Sequence, residues 1–322
     1  MTGPAPAVAA TRLAVRRCLS ALAGPVVVAV SGGADSLALL AAVAFEARKQ
    51  EVRVLAVTVD HGLQAGSAAQ AAAVLTQAAG LGVDAECAAV SVAREGGPEA
   101  AARSARYTAL REVAAREGAG AVLLGHTLDD QAETVLLGLA RGSGARSLAA
   151  MREVNGLLRR PLLGLRRATT EAACAAEGLV PWVDPMNDDR GYARVRVRLD
   201  VLPALELAVG PGVAEALSRT AEQLAQDADA LDAWAATALA QVTDEIGGLD
   251  VSLLLALPAA VRARVLRAAA LRAGSPGGSL GSAHVRELDR LVTDWHGQAA
   301  VALPGPVSAA RDCGRLLLTC HR

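Results

Sequence analysis

The stretch VVVAVSGGADSLALL, residues 26–40, places two glycines, two serines and an aspartate between an apolar run and a helical pattern. Gly32 and Gly33 lack a Cβ, so the backbone N–H groups beside them can approach an anion closely. A helix beginning near Ser36 adds the positive end of its dipole, and Ser31 and Ser36 add hydroxyl donors. Ser31, Gly32, Gly33, Ala34, Asp35 and Ser36 therefore read as a phosphate-binding loop. Asp35 is out of place beside phosphates unless a cation bridges them, which implies Mg2+. No Gly-Lys-Ser/Thr follows, so this is not a Walker A loop.

A second group lies in GHTLDDQAET, where His126, Asp129, Asp130 and Glu133 fall at i, i+3, i+4 and i+7. Carboxylates crowded on one helix face repel one another. They are tolerated where they meet a cation, whether Mg2+, an ammonium or a guanidinium; acids in a first turn also complement the helix dipole. VDHGL puts Asp60 and His61 at the end of another apolar run. PEAAARSARYTAL puts Glu99, Arg103 and Arg106 on one helix face, the spacing of either an ion-paired solvated surface or an anion-binding one.

These residues need elements to hold them at one edge. Strands are expected at Val26–Val30, Val52–Val59, Val83–Val90, Ala121–Gly125 and Leu157–Pro161, with helices near 36–49, 66–79, 99–117, 129–140 and 165–177. The alternation implies right-handed βαβ units and an open parallel five-stranded α/β sheet with helices on both faces. Ligands of such sheets sit beyond the carboxyl ends of the strands, where the Ser31–Ser36 loop falls. After Pro203 the pattern changes. Apolar residues from Val213 to Leu239 recur every three or four positions, a helix about 40 Å long. A strand over Leu249–Leu255, a helix over Pro258–Leu271, a further helix and strand-like ends follow. The reading is two domains, 1–205 and 206–322, the second smaller and mainly helical.

Composition narrows the class. The chain has 322 residues, 52% hydrophobic but only 2% aromatic, and a net charge of −1. The core must be Ala, Val and Leu, and bulk charge does not announce a nucleic-acid binder. The five cysteines are scattered with no Cys-x-x-Cys, which suits a reducing cytoplasm. No signal peptide and no membrane span is expected. Charge is uneven along the chain: Arg141–Arg198 holds eleven arginines against six acids, while Leu205–Arg322 holds ten against thirteen. The basic stripe, with Arg159, Arg160, Arg166 and Arg167 close together and Arg194, Arg196 and Arg198 at its end, is where an RNA is expected to bind. Trp182 and Tyr192 flank DPMNDD, placed either to pack or to stack on an unstacked base.

Ser-Gly-Gly-x-Asp-Ser resembles the pyrophosphate loop of the N-type ATP pyrophosphatases. With VDHGL, EAAARSARY, GHTLDDQAET, RGSG, RRPLL and DPMNDD in this order, the chain resembles the tRNA(Ile)-lysidine synthetases, densely over about 26–206 and weakly beyond. The resemblance implies ATP-dependent adenylation of the wobble cytidine of a CAU-anticodon isoleucine tRNA, then attack by free lysine. It implies ATP contacts from Ser31–Ser36, Asp60, His61, Gly125 and His126, and Mg2+ at Asp35 and Asp130. Asp130 and Glu133 match positions near the amino-acid substrate, with Arg103 and Arg106 stabilising developing negative charge. On that reading Glu133→Gln weakens lysine binding more than ATP binding. Val195 departs from the family, which often has Asn there. No obligate protein partner is implied. Thiolation of a tRNA cytidine and non-catalytic nucleotide sensing are the alternatives. The first normally needs paired cysteines, and the intact Asp35, Asp130 and Glu133 argue against the second.

Overall fold

The computed structural model describes residues 3–62, 66–90 and 98–321, with side chains of the third segment described from 101 onward. Leu63 of VDHGL and the side chain of Glu99 lie outside the described residues. The chain divides into two compact units, Met1–Glu222 and Gln223–Arg322.

The first unit is built on β1 (Val26–Ala29), β2 (Val54–Asp60), β3 (Asp84–Ala89), β4 (Ala121–Leu124), β5 (Val154–Asn155) and β6 (Leu158–Arg159). Their order is β3-β2-β1-β4-β6-β5. Five run parallel, as the alternating pattern implies; the sixth, β5, adds a two-residue antiparallel edge to β6. The chain moves outward from β1 through β2 and β3, then returns to the other side of β1 with β4. The switch point lies between β1 and β4, so the segments after these two strands face each other across it.

Helices cover both faces. They are α1 (Pro6–Leu19), α2 (Ala34–Gln50), α3 (Ser67–Gly80), α4 (Pro98–Arg116), α5 (Leu128–Ala140), α6 (Ala145–Leu148), α7 (Arg167–Ala176), α8 (Ala193–Arg196) and α9 (Leu202–Val209). Val26, Val27 and Val28 are at most 1% exposed, which explains why β1 reads as a continuous apolar run. On one face α2 buries Leu37, Leu39, Leu40 and Val43 against Val8, Val15 and Leu19 of α1 and Ala173 and Cys174 of α7. On the other, Leu110, Val113 and Ala114 of α4 pack on Val27, Val57 and Val122.

The division between the units falls within the residues of α10 (Val213–Val242). The second unit has α11 (Val251–Ala256), α12 (Ala259–Arg272) and α13 (Ser282–Thr293), with β7 (Leu249–Asp250), β8 (Val301–Leu303), β9 (Val307–Asp312) and β10 (Arg315–Cys320). The strands form an antiparallel sheet in the order β7-β10-β9-β8. The strand expected over Leu249–Leu255 lasts two residues. Asp250 then accepts hydrogen bonds from the backbone N–H groups of Ser252 (2.8 Å) and Leu253 (3.1 Å), and this cap starts α11. Among the described residues no single helix is long and apolar enough to cross a membrane.

Candidate active site

The first component is the loop between β1 and α2. The N–H groups of Ser31 and Gly32 converge on one oxygen, Ser36 Oγ, each at 3.2 Å. Ser31 Oγ lies 3.3 Å from the same atom. Two backbone donors and a hydroxyl thus point at one oxygen, the convergence that a backbone nest offers an anion. Gly32 sits at φ +89°, a left-handed conformation that residues bearing a Cβ rarely adopt, so glycine suits this turn. The loop is fastened from outside: the Trp182 N–H donates to the Gly32 carbonyl at 2.9 Å.

The second component follows β4. A Cβ on Gly125 would lie 2.9 Å from the Asp35 carbonyl carbon and oxygen and 3.0 Å from Ser36 Cα. The end of β4 thus touches the backbone of the first turn of α2, which brings GHTLDD beside the loop. The two neighbouring aspartates cap different helices. Asp130 accepts from the Thr127 N–H at 2.8 Å and so caps its own helix, α5. Asp129 accepts from the Arg167 N–H at 2.7 Å, at the start of α7, and pairs with Arg166 at 3.1 Å.

What meets the crowded carboxylates is guanidinium. Arg167 places Nε 3.4 Å from Asp35, Nη2 3.0 Å from Asp130 and Nη1 3.3 Å from Glu133. Arg194 reaches Asp130 at 3.3 Å and Glu133 at 2.6 Å, and Arg198 reaches Glu133 at 2.7 Å. The Thr170 hydroxyl, one turn into α7, donates to Asp35. Burial pushes the Asp35 carboxyl above its usual value, with Thr170 and Arg167 offsetting part of the rise. Burial also opposes ionisation of Asp130, but Arg167 and Arg194 outweigh it and hold that carboxyl below its usual value. The same three acids together with Asp129 raise the Arg167 guanidinium against the effect of its burial.

The arginines expected in the basic stripe take different places. Arg194 and Arg198 turn inward to the carboxylates instead of lining an outer basic stripe. Arg196 donates to the carbonyls of Arg190 and Gly191. Arg160 is only 4% exposed and donates to the Arg152 carbonyl, so burial removes it from a surface phosphate contact. Arg159 donates to the Gly156 and Leu158 carbonyls. Glu133, whose side chain is 0% exposed, offers no surface to a free lysine. Arg167, counted with Arg166 in the basic stripe, faces Asp35, Asp130 and Glu133 instead; its place at the start of a helical pattern was the available signal.

The histidines complete the edge. Arg106 Nε donates to His61 Nε2 at 3.4 Å, and Arg103 donates to the Tyr107 hydroxyl at 3.2 Å. The Nδ1 atoms of His61 and His126 are buried without a hydrogen-bond partner. Burial lowers the His126 pKa to about 4, opposed by Asp130 and assisted by Arg160. The unfolded chain therefore binds a proton near pH 6.5 that the folded one refuses until about pH 4. This contribution to stability is full above pH 6.5 and is lost as pH falls towards 4. His126→Gln is expected to flatten that window in urea titrations; an unchanged pH profile contradicts the assignment.

Residues 12–205 match the PP-loop domain family, and residues 249–317 match the TilS substrate binding domain. The chain is 53% identical to a tRNA(Ile)-lysidine synthase of Streptomyces coelicolor over 98% of this chain and 99% of that one. It is 54% identical to that of Thermobifida fusca over 99% of both. Among solved structures, the U34-tRNA thiolase NcsA from Methanococcus maripaludis shares the fold. Its TM-score is 0.58 at 18% identity, over 68% of this chain and 78% of that one. With the PP-loop match over most of the first unit, the TilS match in the second and relatives more than half identical over nearly their whole length, the chain belongs to the tRNA(Ile)-lysidine synthase family.

Proposed function

We propose that this chain spends ATP to convert the wobble cytidine of a CAU-anticodon isoleucine tRNA to lysidine. The cytidine O2 attacks the α-phosphorus and pyrophosphate leaves. The lysine ε-amine, as the free base, then attacks C2, AMP departs with O2, and the amine loses its proton. The observation that carries this reading is the convergence of the Ser31–Ser36 loop and the Asp35–Asp130–Glu133 carboxylates at the β1/β4 edge, bridged by one residue, Arg167.

The residues fit the groups the reaction needs. The Ser31 and Gly32 N–H groups already share one oxygen, as a phosphate oxygen would require. The unpartnered Nδ1 atoms of His61 and His126 are donors or acceptors in reserve beside the same edge. Mg2+ commonly needs only one or two carboxylates besides substrate phosphates, so Asp35 would hold it with the ATP phosphates, where the ion would neutralise their charge. Asp130, with 11% of its side chain exposed against none for Glu133, is the acid we assign to the lysine ammonium; the difference in exposure supports that choice. Glu133 orders the three arginines instead. Arg103 and Arg106 provide positive charge where the leaving groups develop negative charge.

The test is release of pyrophosphate and AMP by the full chain with ATP, cognate tRNA and lysine. AMP release is expected to depend on lysine, which neither a thiolation enzyme nor a nucleotide sensor would show. Asp35→Ala is expected to lower adenylation by about a hundredfold or more while the circular dichroism spectrum is kept. Near-normal AMP formation by the folded variant overturns the assignment.

A further inference from the structure

We propose that Arg167 is a resident counter-ion of the carboxylate cluster, and that a divalent cation arriving at Asp35 displaces it from that carboxylate alone. The inference rests on the reading that Asp35 meets the metal, and deepens it. Each of three guanidinium nitrogens faces a different acid, at 3.4 Å for Asp35, 3.3 Å for Glu133 and 3.0 Å for Asp130. The Asp35 contact is the longest. It is also the most accessible, since the Asp35 side chain is 22% exposed against 11% and 0% for the other two.

The three acids differ in what remains if Arg167 lets go. Glu133 keeps Arg194 and Arg198, and Asp130 keeps Arg194 and the Thr127 N–H. Asp35 has Arg167 and Thr170, both from α7. A cation taking over Asp35 thus leaves the guanidinium with two carboxylates, and no acid of the cluster loses all its compensation. Without a metal, Arg167 prevents like-charge repulsion at the site; with one, it yields a single contact. The metal then competes with an internal cation, so its affinity is set below that of an unpaired Asp35 carboxylate by the energy of the contact it replaces.

The experiment measures Mn2+ binding by electron paramagnetic resonance on the full chain, with a saturating non-hydrolysable ATP analogue. Arg167→Gln is expected to bind Mn2+ about tenfold more tightly than wild type, a change of about 1.4 kcal/mol. Arg167→Lys, which keeps the charge, stays near wild type, and Asp35→Asn binds more weakly. Damage to the fold would weaken binding, not tighten it. If Asp35→Asn binds Mn2+ like wild type, the metal reading of Asp35 fails. If Asp35→Asn weakens binding while Arg167→Gln does not tighten it, the counter-ion role is overturned. Should Arg167→Gln not fold, the wild-type protein decides. The 15N-edited Nε–H signal of Arg167, assigned by its absence in Arg167→Lys, moves on adding Mg2+ to the analogue-loaded protein. A signal that stays in place overturns the proposal.

Discussion

Glu133→Gln lowers the stability of the first unit by about 3–5 kcal/mol, the usual cost of removing one partner from a buried ion pair. Gln keeps the shape, so no cavity contributes. What is lost is the charge that faces Arg167, Arg194 and Arg198 on a side chain with no exposure. Arg198 loses its carboxylate contact, and Arg194 and Arg167 each fall back on Asp130. Urea denaturation of the full chain checks this. The first transition moves to lower denaturant while that of the second unit, with its own core around Leu254, Val265 and Leu288, stays. Steady-state kinetics of the folded fraction then show both substrates affected together, because the disordered arginines serve the whole edge. A variant of normal stability with only lysine saturation weakened restores Glu133 as a direct lysine contact.

Gly125→Ala is the second large effect, and it acts through backbone. The added methyl falls 2.9 Å from the carbonyl of Asp35 and 3.0 Å from Ser36 Cα, and none of these atoms can rotate aside. Either β4 or the first turn of α2 moves. Overpacking of this kind costs about 1–3 kcal/mol. A displacement near 1 Å in a reacting assembly costs about a hundredfold in rate. Pyrophosphate release is therefore expected to fall by about two orders of magnitude with a modest drop in melting temperature. Gly33→Ala is the stability control: its Cβ meets only Ser31 Oγ at 3.9 Å. Equal melting temperatures for the two variants would show that the close approach at Gly125 is relaxed in solution.

The parts of this molecule legible beforehand are those governed by local rules. Val26–Val28 had to be a doubly covered strand, and the glycine pair after it had to turn. The helices from α2 to α5 start within two residues of their expected positions because apolar spacing marks them. Local rules also explain two failures. Leu249–Leu255 is apolar enough for a strand, but the Asp250 carboxylate satisfies two N–H groups and starts a helix. The helix α1 was overlooked although Pro6 opens it and Val8, Thr11, Val15 and Leu19 mark its buried face. The carboxylate–arginine cluster was only half legible. Spacing showed that Asp129, Asp130 and Glu133 needed cations, but a count of charges along the chain cannot tell an arginine that points inward from one that faces solvent. Arg194 and Arg198 were therefore assigned to an RNA surface. Nothing periodic links Asp35 to a guanidinium 132 positions later.

That separation bears on the lifetime of the folded protein. The bonds of the cluster join residues 37, 61, 65 and 132 positions apart. Bringing such distant segments together costs chain entropy first, and the contacts form only when the intervening strands and crossovers are in place. Interactions formed after the folding barrier leave the folding rate nearly untouched and set how fast the native state opens. Loosening the cluster, as in Glu133→Gln, therefore appears in the unfolding limb of a chevron plot. The same cluster is thus expected to act as a late-closing latch that lengthens the folded lifetime of the first unit.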